Sequence, residues 1–85
     1  MAEQYAYILI SKNAPKTYTG VSSDPIKRLS EHNTGSNVYT RKYKPWELFY
    51  AEQFENRSDA LERERYLKSH AGRKFIKKLM ENDPR

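Results

Sequence analysis

The run YAYILI at residues 5–10 constrains the fold of this 85-residue chain more than any other feature. Both of its alternating faces are apolar, so the strand that it predicts cannot leave either face in contact with water. Such a strand lies in the middle of a sheet and is covered on two sides. Because a chain this short buries only one hydrophobic core, we expect a single domain over residues 1–85, with its core at about 4–80.

Two further segments have the character of strands. KTYTGV at 16–21 follows the turn residues KNAP at 12–15, and its β-branched and aromatic residues predict a hairpin with the first strand. WELFYAEQF at 46–54 predicts a third strand. Gly20 lies inside the second strand, where a glycine usually marks a bulge or a close approach of the backbone.

Three segments carry helix signals, and each follows a residue that can cap a helix. The first runs from Pro25, a residue type favoured at the first helical position, to about Asn33, and Gly35 predicts its end. The second covers about 57–69 and the third about 70–80, whereas 36–45 has no clear period and predicts an ordered basic loop. The predicted N-caps are Ser23 or Asp24, Asn56 or Ser58, and Ser69. The order β-β-α-β-α-α is that of an α+β domain.

The charge balance of the chain is basic. Sixteen Lys and Arg against eleven Asp and Glu give a formal net charge of +5, and the isoelectric point is about 9.5. This balance favours polyanionic partners, nucleic acid first and an anionic membrane surface second. Many small proteins are basic without a specific partner, so the charge alone leaves both interpretations open.

The chain contains no cysteine, which excludes disulfides and thiolate metal sites and suits a reducing compartment. Its first residues, MAEQYAYILIS, lack a basic segment, and their apolar run is too short for a signal peptide or a membrane span. We therefore expect a soluble, cytoplasmic protein that does not insert into a membrane.

Glu64 occupies an unexpected place in the second predicted helix. At about 100° per residue it falls in the middle of an apolar stripe formed by Ala60, Leu61 and Leu67, whereas Glu62 points to the opposite side. An ionised carboxylate on such a stripe is costly unless a cation or hydrogen-bond donors meet it. Either Glu64 pairs with a neighbouring Lys or Arg at the edge of the core, or it belongs to a functional site.

The first predicted helix presents a second pair of polar residues. Arg28 and His32 are four residues apart and therefore project together from one helix face. Their spacing is equally compatible with a solvated helix surface and with a functional pair. Tyr7 and Tyr18 are likewise good strand residues with packing value, so none of these four residues indicates a site by itself.

Taken together, the motifs resemble the GIY-YIG nuclease domain, and in particular its small stand-alone bacterial branch. The resemblance rests on YAY at 5–7, YTG at 18–20, an arginine ten residues after Tyr18, and RSDALERERYLK at 57–68. It extends over about residues 4–80. Tyr5, Ala6 and Thr19 stand where the name-giving motifs have Gly, Ile and Ile.

The resemblance implies a fold and a set of site residues. The implied fold is a small three-stranded antiparallel sheet flanked by helices. Tyr7 and Tyr18 are implied to line the site, where one of them helps to activate or position the attacking water. Arg28 is implied to contact the scissile phosphate, His32 to lie beside the site, and Glu64 to bind a single divalent metal, Mg²⁺ or Mn²⁺.

The implied activity is that of a metal-dependent endonuclease acting on DNA, with branched or damaged structures as candidate substrates and DNA repair as a candidate role. With no separate DNA-binding domain, nucleic-acid contacts are expected from Arg41, Lys42 and Lys44, or a protein partner supplies the targeting. One alternative is a nucleic-acid-binding module with this fold and little or no turnover. Another is a structural domain recruited by a protein partner, which would have no salt-sensitive affinity for nucleic acid.

Overall fold

The computed structural model describes residues 3–83, so residues 1–2 and 84–85 of the predicted domain lie outside the described part. Three strands and four helices follow one another in this part of the chain. In chain order they are β1 (Gln4–Ser11), β2 (Thr17–Ser22), α1 (Pro25–Thr34), α2 (Val38–Lys42), β3 (Trp46–Phe54), α3 (Arg57–Lys68) and α4 (His70–Glu81).

The three strands form one antiparallel sheet in the order β2-β1-β3. The apolar run at 5–10 is therefore the central strand, as predicted, and Ala6, Ile8 and Leu9 within it are fully buried. The hairpin register pairs Tyr7 with Gly20 on β2. The predicted α+β fold with a three-stranded antiparallel sheet is confirmed.

Each face of β1 belongs to a different hydrophobic cluster. On one face, Ala6 and Ile8 pack with Leu67 of α3 and Ile76 of α4. On the other face, Tyr7 and Leu9 pack with Trp46, and Leu29 of α1 closes this second cluster. Helices on both sides thus cover a strand whose two faces are apolar, which is the arrangement that the sequence requires.

The helix ends follow the capping signals. Asp24, Asn56 and Ser69 each accept a hydrogen bond from the backbone N–H three residues further on, at 3.1, 2.9 and 3.2 Å. Ser69 also ends α3, so α4 starts at once in a new direction. Helix α1 ends at Gly35, whose φ of 92° lies in the left-handed region. Within residues 3–83, none of the helices is long and apolar enough to cross a membrane.

The segment 36–45 was predicted to be a loop, and this is wrong for its central part, which forms the short helix α2. A helix of five residues has too few internal hydrogen bonds to form alone, so contacts with the rest of the chain must hold it. The Asn37 side chain caps it by accepting from the Thr40 backbone N–H at 3.2 Å. Thr40 is fully buried, and its carbonyl oxygen accepts from the Trp46 indole N–H at 2.6 Å.

Candidate active site

Tyr7 and Tyr18 stand side by side because of Gly20. A Cβ atom at residue 20 would lie 2.7 Å from the Tyr7 hydroxyl oxygen and 3.2 Å from a Tyr18 ring carbon, so no larger residue fits without displacing a ring. The two ring centroids are 6.4 Å apart. The close approach predicted at Gly20 is therefore confirmed, and it is two tyrosine side chains that occupy the space.

His32 connects α1 to these tyrosines. Its side chain is 0% exposed, which rules out the solvated-surface interpretation for this residue. The Nε2 atom lies 3.4 Å from the Tyr7 hydroxyl, and the Nδ1 atom lies 2.8 Å from the Thr40 Oγ1. The imidazole also packs against the Tyr18 ring, with 4.5 Å between centroids. His32 thus lies between residues of β1, β2 and α2.

The Thr40 Oγ1 lies 3.3 Å from the Asn37 carbonyl oxygen and 2.8 Å from the Nδ1 of His32. When the Thr40 hydroxyl donates to that carbonyl, its oxygen accepts from the Nδ1–H of His32. A neutral histidine that donates through Nδ1 carries its lone pair on Nε2. In this tautomer the Tyr7 hydroxyl donates to Nε2, 3.4 Å away, and the site contains a Thr40–His32–Tyr7 chain in which Nε2 is a proton acceptor.

Both members of the Tyr7–His32 pair are held neutral near pH 7. Burial raises the pKa of the Tyr7 phenol, and the neighbouring Arg28 only partly offsets this. Burial, followed by the positive charge of Arg28, lowers the pKa of His32 below its ordinary value of 6.5, while Glu31 acts in the opposite direction. The pair is thus a phenol facing an unprotonated imidazole.

Arg28 lies at the boundary between this buried pair and water. Its side chain is 40% exposed and forms an ion pair with the Glu31 carboxylate one turn along α1. The Tyr7 hydroxyl beside the guanidinium, together with Glu31, raises the pKa of Arg28 although its partial burial opposes this. A guanidinium presents donors in a planar fork, so Arg28 can contact Tyr7 and still offer donors to an anion in solution.

Glu64 lies on α3, which packs beside β2. Ala60 and Leu67 of the predicted stripe are buried but Leu61 is exposed, so Glu64 lies at the edge of the apolar surface, with 22% of its side chain exposed. The Lys68 Nζ lies 3.3 Å from its Oε2, which is the pairing foreseen as one alternative. The Glu64 charge nonetheless extends to the tyrosines, since it is one of the causes that raise the pKa of Tyr7.

Glu64 offers a single carboxylate, so a divalent cation held there would keep most of its water ligands. Within residues 3–83 no three His, Cys, Asp or Glu side chains come close enough together to hold a metal by themselves. Mg²⁺ is usually held by one or two carboxylates, with water and substrate phosphate as its other ligands. The Lys68 ion pair would compete with such a cation, since the Lys68 ammonium lies 3.3 Å from the Glu64 Oε2 and the Glu64 side chain is only 22% exposed.

The basic residues predicted to contact nucleic acid lie on and just after α2. Arg41, Lys42 and Lys44 are exposed. The ammonium group of Lys42 lies 5.6 Å from the centre of the Tyr43 ring. The centre of the Tyr39 ring lies 5.3 Å from that of Tyr43 and 6.4 Å from that of Tyr18. Tyr39 therefore links this basic surface to Tyr18 of the candidate site.

The sequence interpretation missed Thr40 and Asn37, which complete the Thr40–His32–Tyr7 chain. Asn37 followed three residues later by Thr40 is a helix-cap spacing, and it would have predicted α2. No periodic pattern marks Thr40 as buried, because its burial depends on contacts with His32 and Trp46 from other elements.

The sequence of this chain is similar to those of known proteins. The family model for the GIY-YIG catalytic domain matches residues 3–78. A UPF0213 protein of Staphylococcus saprophyticus is 37% identical over 82 residues, which cover 95% of this chain and 99% of that protein. A UPF0213 protein of Natronomonas pharaonis is 36% identical over 69 residues, 80% of each chain.

A solved structure shows the same fold. The solution NMR structure of a UPF0213 protein from Bacillus halodurans aligns with a TM-score of 0.54 and 29% identity, covering 91% of this chain and 84% of that one. The sheet order, the paired tyrosines and the family match lead to one assignment. The chain belongs to the GIY-YIG family of nucleases.

Proposed function

We propose that this protein is a metal-dependent endonuclease that hydrolyses phosphodiester bonds in DNA, with branched or damaged DNA as its substrate, in the service of DNA repair. The observation that carries the proposal is the neutral Tyr7–His32 pair beside the Arg28 guanidinium. A buried phenol beside an unprotonated imidazole satisfies the polar atoms of both side chains, and the pair is also suited to moving a proton.

In the proposed reaction Tyr7 and His32 act together as the base. The Tyr7 oxygen takes a proton from the attacking water while the Tyr7 proton passes to the Nε2 of His32. The phenol is thereby regenerated, so no free phenolate is needed, and the raised pKa of Tyr7 is not an obstacle. The water oxygen bonds to phosphorus as the bond from phosphorus to the leaving oxygen breaks, the leaving oxygen takes a proton from solvent, and Nε2 returns its proton to solvent. Thr40 keeps the other imidazole nitrogen protonated and the ring in place.

Arg28 binds the scissile phosphate in this scheme. Its planar fork matches two phosphate oxygens and stabilises the negative charge that grows on them. Glu64 would hold the Mg²⁺ or Mn²⁺, which when bound supplies a positive charge for the phosphate and the leaving oxygen. The Tyr18 ring packs against the imidazole of His32 and shields the imidazole from bulk water.

The position of α2 supports a role for Arg41, Lys42 and Lys44 in holding the strands that flank the cut. Positive side chains that contact phosphates supply affinity without reading sequence. Such binding suits a nuclease that selects a DNA structure rather than a base sequence. A protein partner that delivers the substrate is compatible with the same surface.

A second candidate function is a nucleic-acid-binding module without turnover. The observation in its favour is the Glu64–Lys68 ion pair, which gives the only carboxylate proposed to hold the metal a purely structural partner. Both candidates use the same basic surface, but only the nuclease needs Glu64 to bind metal.

The test compares Glu64→Gln with wild type and with Glu62→Gln. Glu62 is an exposed glutamate two residues away on α3, so its variant removes the same charge from outside the site. Labelled single-stranded, duplex and branched DNA are incubated with Mg²⁺ or Mn²⁺ and with a chelator. We expect wild type and Glu62→Gln to cut in a metal-dependent way and Glu64→Gln to lose cutting by a factor of at least about 100.

Three other outcomes of this test would contradict the proposed nuclease. Equal residual cutting by all three proteins would indicate a contaminant and contradict the assignment. Binding by all three without any product would favour the binding module. Absence of both cutting and salt-sensitive binding would leave the structural-domain interpretation.

A further inference from the structure

A cleft opens along β2, an outer strand of the sheet, on the side that faces α3 and α4. Its volume is about 290 Å³, and it is lined by Thr17, Tyr18, Thr19, Lys68 and Arg73. Thr17 and Thr19 belong to the sheet face opposite Gly20, and Lys68 and Arg73 come from the two sides of the sharp turn between α3 and α4. The turn at Ser69 therefore brings the two cations to one cleft.

The lining of this cleft is positive. It includes a lysine and an arginine but no carboxylate. Lys68 contacts Glu64 at 3.3 Å and is 58% exposed, whereas Arg73 forms no ion pair within residues 3–83. The cleft thus brings together two cations and two threonines, and the cations suit an anion with several acceptor oxygens.

We propose that this cleft binds a second phosphate of the nucleic acid, next to the phosphate that is cut. The inference rests on the proposed function and adds a binding site to it. Arg, Lys and Thr side chains are the usual partners of backbone phosphates. A volume of about 290 Å³ accepts a phosphate with part of its sugar, and it lies at the lower end of the range for small-molecule pockets.

The cleft adjoins the candidate active site at two points. Tyr18 is among the residues that line the cleft, and its ring packs against His32 on the other face of the sheet, with 4.5 Å between ring centroids. Lys68 lines the cleft and follows Glu64 by one helical turn. Under this proposal, a strand whose scissile phosphate lies at Arg28 passes β2 at Tyr18 and places a second phosphate at Lys68 and Arg73.

Lys68 has a different partner in each state under this proposal. In the free protein it pairs with Glu64, and in the complex it turns to the phosphate and leaves the carboxylate accessible. The exchange is open to Lys68 because its side chain is 58% exposed and can turn from Glu64 towards the cleft. Occupation of the cleft and release of Glu64 are thus coupled through one side chain.

The test is a binding measurement in chelator, where no cutting takes place. Wild type, the double variant Lys68→Met/Arg73→Ala, and the control Lys74→Ala/Lys78→Ala are titrated with labelled single-stranded and duplex oligonucleotides by fluorescence anisotropy. Lys74 and Lys78 are exposed residues of α4 on the flank away from Arg73, so they lie outside the cleft. Their double variant removes two positive charges, as the Lys68→Met/Arg73→Ala variant does. Salt is varied from about 50 to about 200 mM.

We expect the Lys68→Met/Arg73→Ala variant to bind about tenfold more weakly than the Lys74→Ala/Lys78→Ala control. This is the loss typical of one charge-assisted phosphate contact. The slope of log K against log salt should also fall by about 0.7 for single strands, or about 0.9 for duplex. If wild type binds but the two double variants share one affinity and one slope, the cleft site is overturned and the proposed nuclease is not. If wild type binds no oligonucleotide in chelator, the cleft site is overturned, and the cutting assay with metal decides the proposed nuclease separately.

Discussion

At the scale of single residues, His32 has the largest consequences for chemistry. Its position four residues after Arg28 would suit a solvated helix face, yet the side chain is fully buried between Tyr7, Tyr18 and Thr40. Burial removes the water that would stabilise an imidazolium, and the nearby Arg28 charge disfavours it further. The same burial that makes His32 a proton acceptor also makes the folded protein sensitive to acid.

The stability of the protein should therefore fall as pH is lowered through the titration of His32. The folded-state pKa lies below the unfolded value near 6.5. Between these two values the unfolded chain binds more protons than the folded one, so the free energy of unfolding decreases as pH drops and levels off below the folded pKa. Urea unfolding from about pH 7.5 to about pH 5 measures this dependence.

The control for this prediction is a pair of variants. His32→Gln removes the buried imidazole and should flatten the dependence of the unfolding free energy on pH. His70→Gln removes an exposed histidine and leaves His32 in place. If wild type and His32→Gln lose stability in parallel, His32 is not the group responsible. The cutting rate of wild type should fall over the same pH range, because a protonated His32 cannot accept the Tyr7 proton.

At the scale of elements, the attachment of α1 to β3 decides where the site residues of α1 lie. The Asn33 Oδ1 accepts from the Trp46 backbone N–H at 2.6 Å, and its Nδ2 donates to the Trp46 carbonyl oxygen at 3.0 Å. One side-chain amide thus satisfies both backbone groups at the start of β3. Since α1 also carries Arg28 and His32, this contact orients the helix relative to Tyr7.

Replacing this amide should loosen the helix. Asn33→Ala leaves two partly buried backbone groups of Trp46 without their partner, and we expect it to lower the free energy of unfolding by about 1–3 kcal/mol. Ser30→Ala, an exposed substitution on the same helix, should change it by less than about 0.5 kcal/mol. Chemical denaturation of the three proteins measures the difference. Equal stability of both variants would show that water replaces the Asn33 amide without loss.

At the scale of the whole molecule, positive charge lies on both sides of the sheet. Arg41, Lys42 and Lys44 belong to the side covered by α1 and α2, and Lys74, Lys77 and Lys78 lie on α4, which packs against the other side. A net charge of +5 alone would attract DNA to either side equally. The position of Tyr18 and His32 on the α1–α2 side predicts that this side is favoured.

Two triple variants separate these possibilities. Arg41→Ala/Lys42→Ala/Lys44→Ala should lower the slope of log K against log salt for duplex DNA by up to about 2.7, since each phosphate contact contributes about 0.9. Lys74→Ala/Lys77→Ala/Lys78→Ala removes the same charge from α4 and should lower the slope by less than one contact. Equal slopes for the two variants would mean that only the net charge matters.

Local signals in the sequence determined most of the elements. The two apolar faces of residues 5–10 require a central strand with helices on both sides, and Asp24, Asn56 and Ser69 begin the helices where capping chemistry places them. The ion pair between Glu64 and Lys68 was also foreseeable, because residues four apart on a helix are neighbours. Each of these features depends on residues close together in the chain.

Contacts between distant residues were decided only by the tertiary structure. Helix α2 is too short to form alone, so it exists because Thr40 meets His32 and Trp46. The Tyr7–His32 contact joins residues 25 positions apart, and it depends on the register that places Gly20 opposite Tyr7. Amphipathic periodicity indicates which face of an element is buried but not which partner it meets. The proton chain of the candidate site is therefore a product of packing, because packing alone brings Thr40, His32 and Tyr7 into contact.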